Sequence, residues 1–182
     1  MKKTLIALGI IVGIGASVVG YSYLNDYLNE PSEEEQQEAR KEIEKEFTTP
    51  ESDLPEKHKR DLIEFYPDDM TEHVMRGIIH AMSHQKVKSE VKWSVHLITK
   101  QRLERLLEIA KMNKDEYERG QLYIDILSRW VEGDFSQAVE EHNEIWTILQ
   151  GNVGKAYRLL TPVEQKEYLD YYFNFDDENT QE

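Results

Sequence analysis

Thr99-Lys-Gln-Arg-Leu103-Glu-Arg-Leu106-Leu107-Glu-Ile-Ala110 is the stretch whose reading decides the fold. Leu103, Leu106, Leu107 and Ala110 recur at i, i+3, i+4 and i+7, which gathers them on one face of a helix. Thr99 stands where a hydroxyl can accept a hydrogen bond from the first turn. A strand would instead bury every second residue, and that alternation is missing here.

The same helical spacing continues on both sides. Upstream, Thr71 caps a helix running to about Gln85, with Val74, Met75, Ile78, Ile79 and Met82 on one side. Downstream, Leu122, Tyr123, Ile126, Leu127 and Trp130 form a third stripe, ended by Gly133. Asp134 is read as the cap of a fourth helix through Phe135, Ala138, Val139, His142, Trp146 and Leu149, ended by Gly151. In Thr161-Pro162-Val163-Glu164 a capping box coincides with proline at the first helical position, ahead of Tyr168, Leu169 and Tyr172. Residues 91–98 alternate Val91, Trp93, Val95 and Leu97 with polar residues, yet no second run offers a pairing partner, so they read as an extended connection. The expected class is all-α: a small bundle of about five helices over residues 61–175.

Residues 25–60 are built differently. Pro31-Ser32 starts a helix with Ser32 as N-cap and Glu33, Glu34 and Glu35 in the first turn, where acids suit the helix dipole. Only Ile43 and Phe47 break its polar run, and Pro50 and Pro55 then interrupt it. Such a segment reads as a solvated, polar helical stalk. An acidic tail occupies residues 176–182.

Residues 1–24 carry Lys2 and Lys3 ahead of an uncharged apolar run over residues 5–23. At ~1.5 Å per residue a helix of that length reaches about the thickness of a bilayer's hydrocarbon. Lysines before it and acids after it orient the N-terminus inward and the domain outward. The expectation is a single-pass transmembrane anchor, with secretion after cleavage near Gly15 and Ser17 as the alternative. Gly9, Gly13 and Ser17 fall on one helix face, the small-residue spacing through which membrane helices dimerise.

With 22 Lys+Arg against 36 Asp+Glu and a net charge of −14, the chain offers nucleic acid a poor surface. The absence of cysteine excludes disulfides, a lipobox and thiol chemistry.

Histidine is where chemistry concentrates. His73, His80 and His84 fall within about 40° of one another around the first domain helix, opposite the face centred on Met75 and Met82. They are expected on the polar face. His80 and His84 at i, i+4 can share one divalent metal ion, whereas His73 lies about 10 Å further along the axis. The run His80-Ala-Met-Ser-His84 lacks the glutamate that zinc proteases use as general base, which argues against a hydrolase of that class. His142 sits inside an apolar stripe and reads as a hydrogen-bonded core residue, with Asn143 a polar neighbour. Gly151-Asn-Val-Gly154-Lys155-Ala156 lacks the glycine spacing and the hydroxyl of a phosphate loop and reads as a helix-to-helix turn.

Three runs carry a resemblance: His80-Ala-Met-Ser-His84-Gln-Lys-Val87; Gly133-Asp-Phe-Ser136 continuing to His142-Asn-Glu-Ile-Trp146; and Gly151 to Ala156 leading to Leu160-Thr-Pro162. Together they resemble a domain family of unknown function in Bacillus-type Firmicutes, mostly small proteins with an N-terminal membrane or export segment. The resemblance spans about residues 60–173 and implies class and location, with no activity or cofactor attached. The leading functional expectation is a non-enzymatic module, tethered outside a membrane, that binds a protein or wall component of the envelope. A metal-binding protein using His80 and His84 is the alternative, and an envelope hydrolase a third.

Overall fold

The structure is a computed structural model that describes residues 31–173. The apolar segment 5–23, its Gly9, Gly13 and Ser17 face, and the acidic tail lie outside them. Contacts divide the chain into two units, Met1–Glu35 and Gln36–Glu182. No helix of the described residues is long and apolar enough to cross a membrane.

In the first unit, Ser32 and Glu35 form a reciprocal cap. The Glu35 N–H donates to Ser32 Oγ at 3.3 Å, and the Ser32 N–H to Glu35 Oε2 at 2.8 Å. This opens α1 (Glu33–Thr48).

The second unit contains the rest of α1, then α2 (Leu62–Phe65), α3 (Glu72–Ser83), β1 (Val87–Ser89), α4 (Lys100–Met112), α5 (Gly120–Val131), α6 (Ala138–Ile148), β2 (Ala156–Leu159) and α7 (Pro162–Phe173). Thr71 and Thr99 cap α3 and α4 as their positions predict, accepting from Val74 N–H and Arg102 N–H. The Thr161–Glu164 box is complete: Glu164 N–H donates to Thr161 Oγ1 at 3.2 Å and Thr161 N–H to Glu164 Oε2 at 2.9 Å.

The core lies where the helical stripes meet. Met75, Ile79 and Met82 of α3 join Leu103, Leu106 and Ile109 of α4 and Tyr123, Ile126, Leu127 and Trp130 of α5 in one buried cluster. Glu141 of α6 is drawn beneath them as a polar tie. Its Oε2 accepts from Trp130 Nε1 at 2.6 Å and its Oε1 from Arg129 Nε at 2.8 Å, so the buried carboxylate is satisfied.

Several expectations need correction. Among the described residues the span 61–175 holds six α-helices, one of them the four-residue α2, where about five were expected, and it includes a sheet. β1 and β2 pair antiparallel with Val87 opposite Leu159, which makes the fold mostly helical instead of all-α. Strands of three and four residues are too short to show alternation, and their partner is ~70 residues away in sequence, so no local pattern announces them. Consequently the 151–155 turn leads from helix to strand. Residues 91–98 contain no strand, as expected of a connection. The α3 helix stops at Ser83, and α6 begins at Ala138 because Asp134 instead accepts from Ser136 N–H in a turn.

The segment expected as a solvated stalk is packed from residue 36 onward. Ala39 is buried, Ile43 joins Leu54, Leu97, Tyr168 and Leu169, and Phe47 meets Phe135 edge-on at 6.1 Å. Glu51 forms a buried ion pair with Arg102, accepting from its Nε at 3.0 Å. A helix with few apolar residues still packs when those few fall on one side, and Ile43 and Phe47 at i, i+4 do so.

Candidate metal centre

α3 packs against α6, and this contact decides the fate of the histidines. His84, expected on the polar face, is buried; His80 is half-buried, and His73 stays exposed. The expectation fails because α3 buries two faces: Met75 and Met82 meet α4 and α5, while the far side receives α6. His142 of α6 enters there. Its ring stacks on that of His80 with centroids 4.5 Å apart and planes 26° apart, and lies 5.3 Å from that of His84. His80 and His84 meet edge-on at 4.8 Å. One ring nitrogen from each of the three lies within 4.8 Å of the others.

Hydrogen bonds fix which nitrogens carry protons. Ser94 O can only accept, so His84 Nδ1 donates to it at 2.7 Å and Nε2 is left with its lone pair. Gly154 O likewise accepts from His142 Nε2 at 3.1 Å, leaving Nδ1 unprotonated. His142 Nδ1 faces Ser83 Oγ at 2.7 Å, but that hydroxyl has a second acceptor in His80 O at 2.6 Å. One hydroxyl proton serves both acceptors, and Ser83 Oγ itself stands in front of Nδ1, so a cation there has to displace the serine side chain. His80 Nε2 and His84 Nε2 are buried and have no hydrogen-bond partner.

Burial, joined by the proximity of the other two imidazoles, pushes His80 down to about 3. Burial pushes His84 down to about 4, against its bond to Ser94 and helped by His142 and Lys92. Burial lowers His142 as well. Three neutral imidazoles are thus held together, and two have an N–H anchored on a backbone carbonyl. Metal-ligating histidines are oriented in this way. Bonds of 2.0–2.1 Å in a tetrahedron place nitrogens about 3.4 Å apart, so closing the set on zinc calls for side-chain rotation. Calcium and magnesium want oxygen ligands, whereas imidazole suits zinc, copper, nickel and iron.

Sequence reasoning placed His80 and His84 together and set His73 apart, and the structure agrees. It missed His142 as their neighbour, since nothing local connects residues 84 and 142. Asn143 does not touch the His142 ring: it bonds Ala156 twice, donating to its O and accepting from its N–H, both at 2.9 Å, which seats β2 on α6. Gly154 is in the left-handed region at φ +88, where a Cβ would come 2.7 Å from Val91 O. Only glycine fits at this turn, and its carbonyl orients His142.

The model of a family of unknown function, DUF6241, matches residues 79–170, half of the chain, and the chain belongs to that family. The matched span starts within α3, just ahead of His80, and holds all three histidines. No curated protein and no solved structure matches the chain.

Proposed function

We propose that this domain binds one nitrogen-preferring divalent transition metal through His80, His84 and His142. The observation that carries this reading is the pair of buried, unpartnered ring nitrogens His80 Nε2 and His84 Nε2, set against a third imidazole. Leaving polar atoms buried without partners costs about 1–3 kcal/mol each, and a cation removes that cost. The apolar segment at residues 5–23 supports a place on the outer face of a membrane, which it would span once. Equilibrium dialysis of the full chain in detergent, with metal counted by mass spectrometry, tests the reading. It predicts one Zn²⁺ per chain and none for the triple variant His80→Ala/His84→Ala/His142→Ala; equal metal content in both would refute it.

A second reading, that the domain also docks a protein of the envelope without catalysing a reaction, is favoured by residues 91–95. Val91, Trp93 and Val95 are all exposed, Trp93 at 75%, on a segment tied to His84 through Ser94 O. Cross-linking from a photoreactive residue at position 93 tests it: a discrete adduct is expected, and its absence from native membranes would count against docking.

A further inference from the structure

We propose that metal binding at His80, His84 and His142 controls how firmly the segment 90–96 is held, and with it the surface formed by Val91, Trp93 and Val95. This rests on the metal reading above and adds a regulatory output to that site.

Connectivity carries the argument. Residues 90–96 belong to no helix or strand. Three side-chain bonds fasten them to the two residues that follow α3. His84 Nδ1 donates to Ser94 O at 2.7 Å, Lys92 Nζ to His84 O at 2.6 Å, and Gln85 Nε2 to His96 O at 2.5 Å. Gly154 abuts the same segment, since a Cβ there would come 2.7 Å from Val91 O. Its carbonyl accepts from His142 Nε2 at 3.1 Å. Two of the three imidazoles are therefore bonded to backbone that lies in, or against, the segment on which Val91, Trp93 and Val95 are exposed.

Coordination alters these bonds in two ways. A cation on His84 Nε2 draws electron density from the ring and makes Nδ1–H a stronger donor to Ser94 O, in the direction of a charge-assisted bond. The ring nitrogens, within 4.8 Å of one another, also draw in to about 3.4 Å around zinc. Rings that turn to close the set carry Ser94 O and Gly154 O with them, and both carbonyls bear on the segment. Linkage makes the effect reciprocal: whatever holds the segment in place raises the affinity for the metal by the same factor.

The chain has no cysteine, so Trp93→Cys and Met112→Cys each accept a single nitroxide label. Met112 is exposed at the end of α4, outside these bonds, and serves as the control. Electron paramagnetic resonance spectra of the full chain in detergent are compared with chelator and with Zn²⁺, and bound Zn²⁺ is counted in the same samples. Zn²⁺ should slow the label at position 93 and leave that at 112 unchanged. Gln85→Met removes the bond to His96 O without changing charge, and should weaken Zn²⁺ about fivefold or more. Bound Zn²⁺ with the label at 93 unmoved, or with both labels slowed alike, overturns the inference while sparing the metal site. Unchanged Zn²⁺ affinity in Gln85→Met overturns it equally. Failure to bind Zn²⁺ at all overturns the metal reading and this inference with it.

Discussion

The imidazole of His142 lies face to face with that of His80, 4.5 Å between centroids, although 62 positions separate them in the chain. Nothing apolar about this stack explains it, since both rings are polar and His80 Nε2 is buried without a hydrogen-bond partner. The contact exists because α6 crosses α3 at the one turn where His80 and His84 point the same way.

His142 is therefore expected to matter as much as the two helical histidines. His142→Gln should abolish stoichiometric Zn²⁺ binding, and His73→Gln should leave it untouched, because His73 is exposed and two turns away. Zinc titration calorimetry on the two variants checks this.

The metal-free protein should lose stability on mild acidification. His80 is held to about 3 in the fold, and His84 and His96 to about 4, chiefly by burial, while the unfolded chain takes up protons near 6.5. Between these limits the unfolded state binds more protons, so stability rises with pH and is lost as pH falls from about 6.5 toward 4. Each histidine contributes at most ~1.4 kcal/mol per pH unit in that window. Glu164, held to about 2, acts only at lower pH. Urea melts at pH 7.5 and pH 5 with chelator present should differ accordingly; identical melts would contradict the burial of the cluster.

Glu51 provides a test that segment 36–60 is part of the folded unit. Glu51→Ala leaves the Arg102 guanidinium buried without its carboxylate and should cost about 3–5 kcal/mol. Glu38→Ala, on an exposed site of α1, should stay within about 0.5 kcal/mol. Equilibrium urea unfolding distinguishes them, and equal effects would return the segment to a solvated stalk.

Gly154 should connect fold and site. Gly154→Ala forces a Cβ toward Val91 O and displaces the carbonyl that orients His142, so Zn²⁺ affinity should fall by about tenfold or more. Gly133→Ala, also at positive φ but with nothing within 4 Å, should cost stability alone. Competition against a chromophoric chelator measures both.

How much of this was legible follows from which interactions are local. Thr71, Thr99 and the Thr161–Glu164 box act on their own first turns, and their helices start where the residues indicate. The i, i+4 pair His80 and His84 is local in the same sense. Burial of that pair was not legible, because two helix faces of α3 carry apolar neighbours only once α6 is docked. His142 is the buried, hydrogen-bonded residue its stripe indicates, and only its histidine neighbours went unseen, for the same reason. The β1–β2 pairing and the Glu51–Arg102 bond join residues ~50 or more apart, and short polar stretches carry no mark of distant partners. Asp134 misled because the same side chain that caps helices also closes turns.

The central claim is that the three histidines bind a metal in the folded state, and a thermal melt of the full chain in detergent tests it most directly. The protein would be melted with chelator, with Zn²⁺, and as the His80→Ala/His84→Ala variant with Zn²⁺. At a hundred times its dissociation constant, an ion bound only by the fold adds about 2.7 kcal/mol. At about 2–4 °C per kcal/mol for a chain of this size, that raises the midpoint by about 5–10 °C. The account predicts this rise in the native protein and none in the variant. A midpoint that Zn²⁺, Ni²⁺ and Cu²⁺ all leave unchanged, or a rise that survives loss of both histidines, would contradict it.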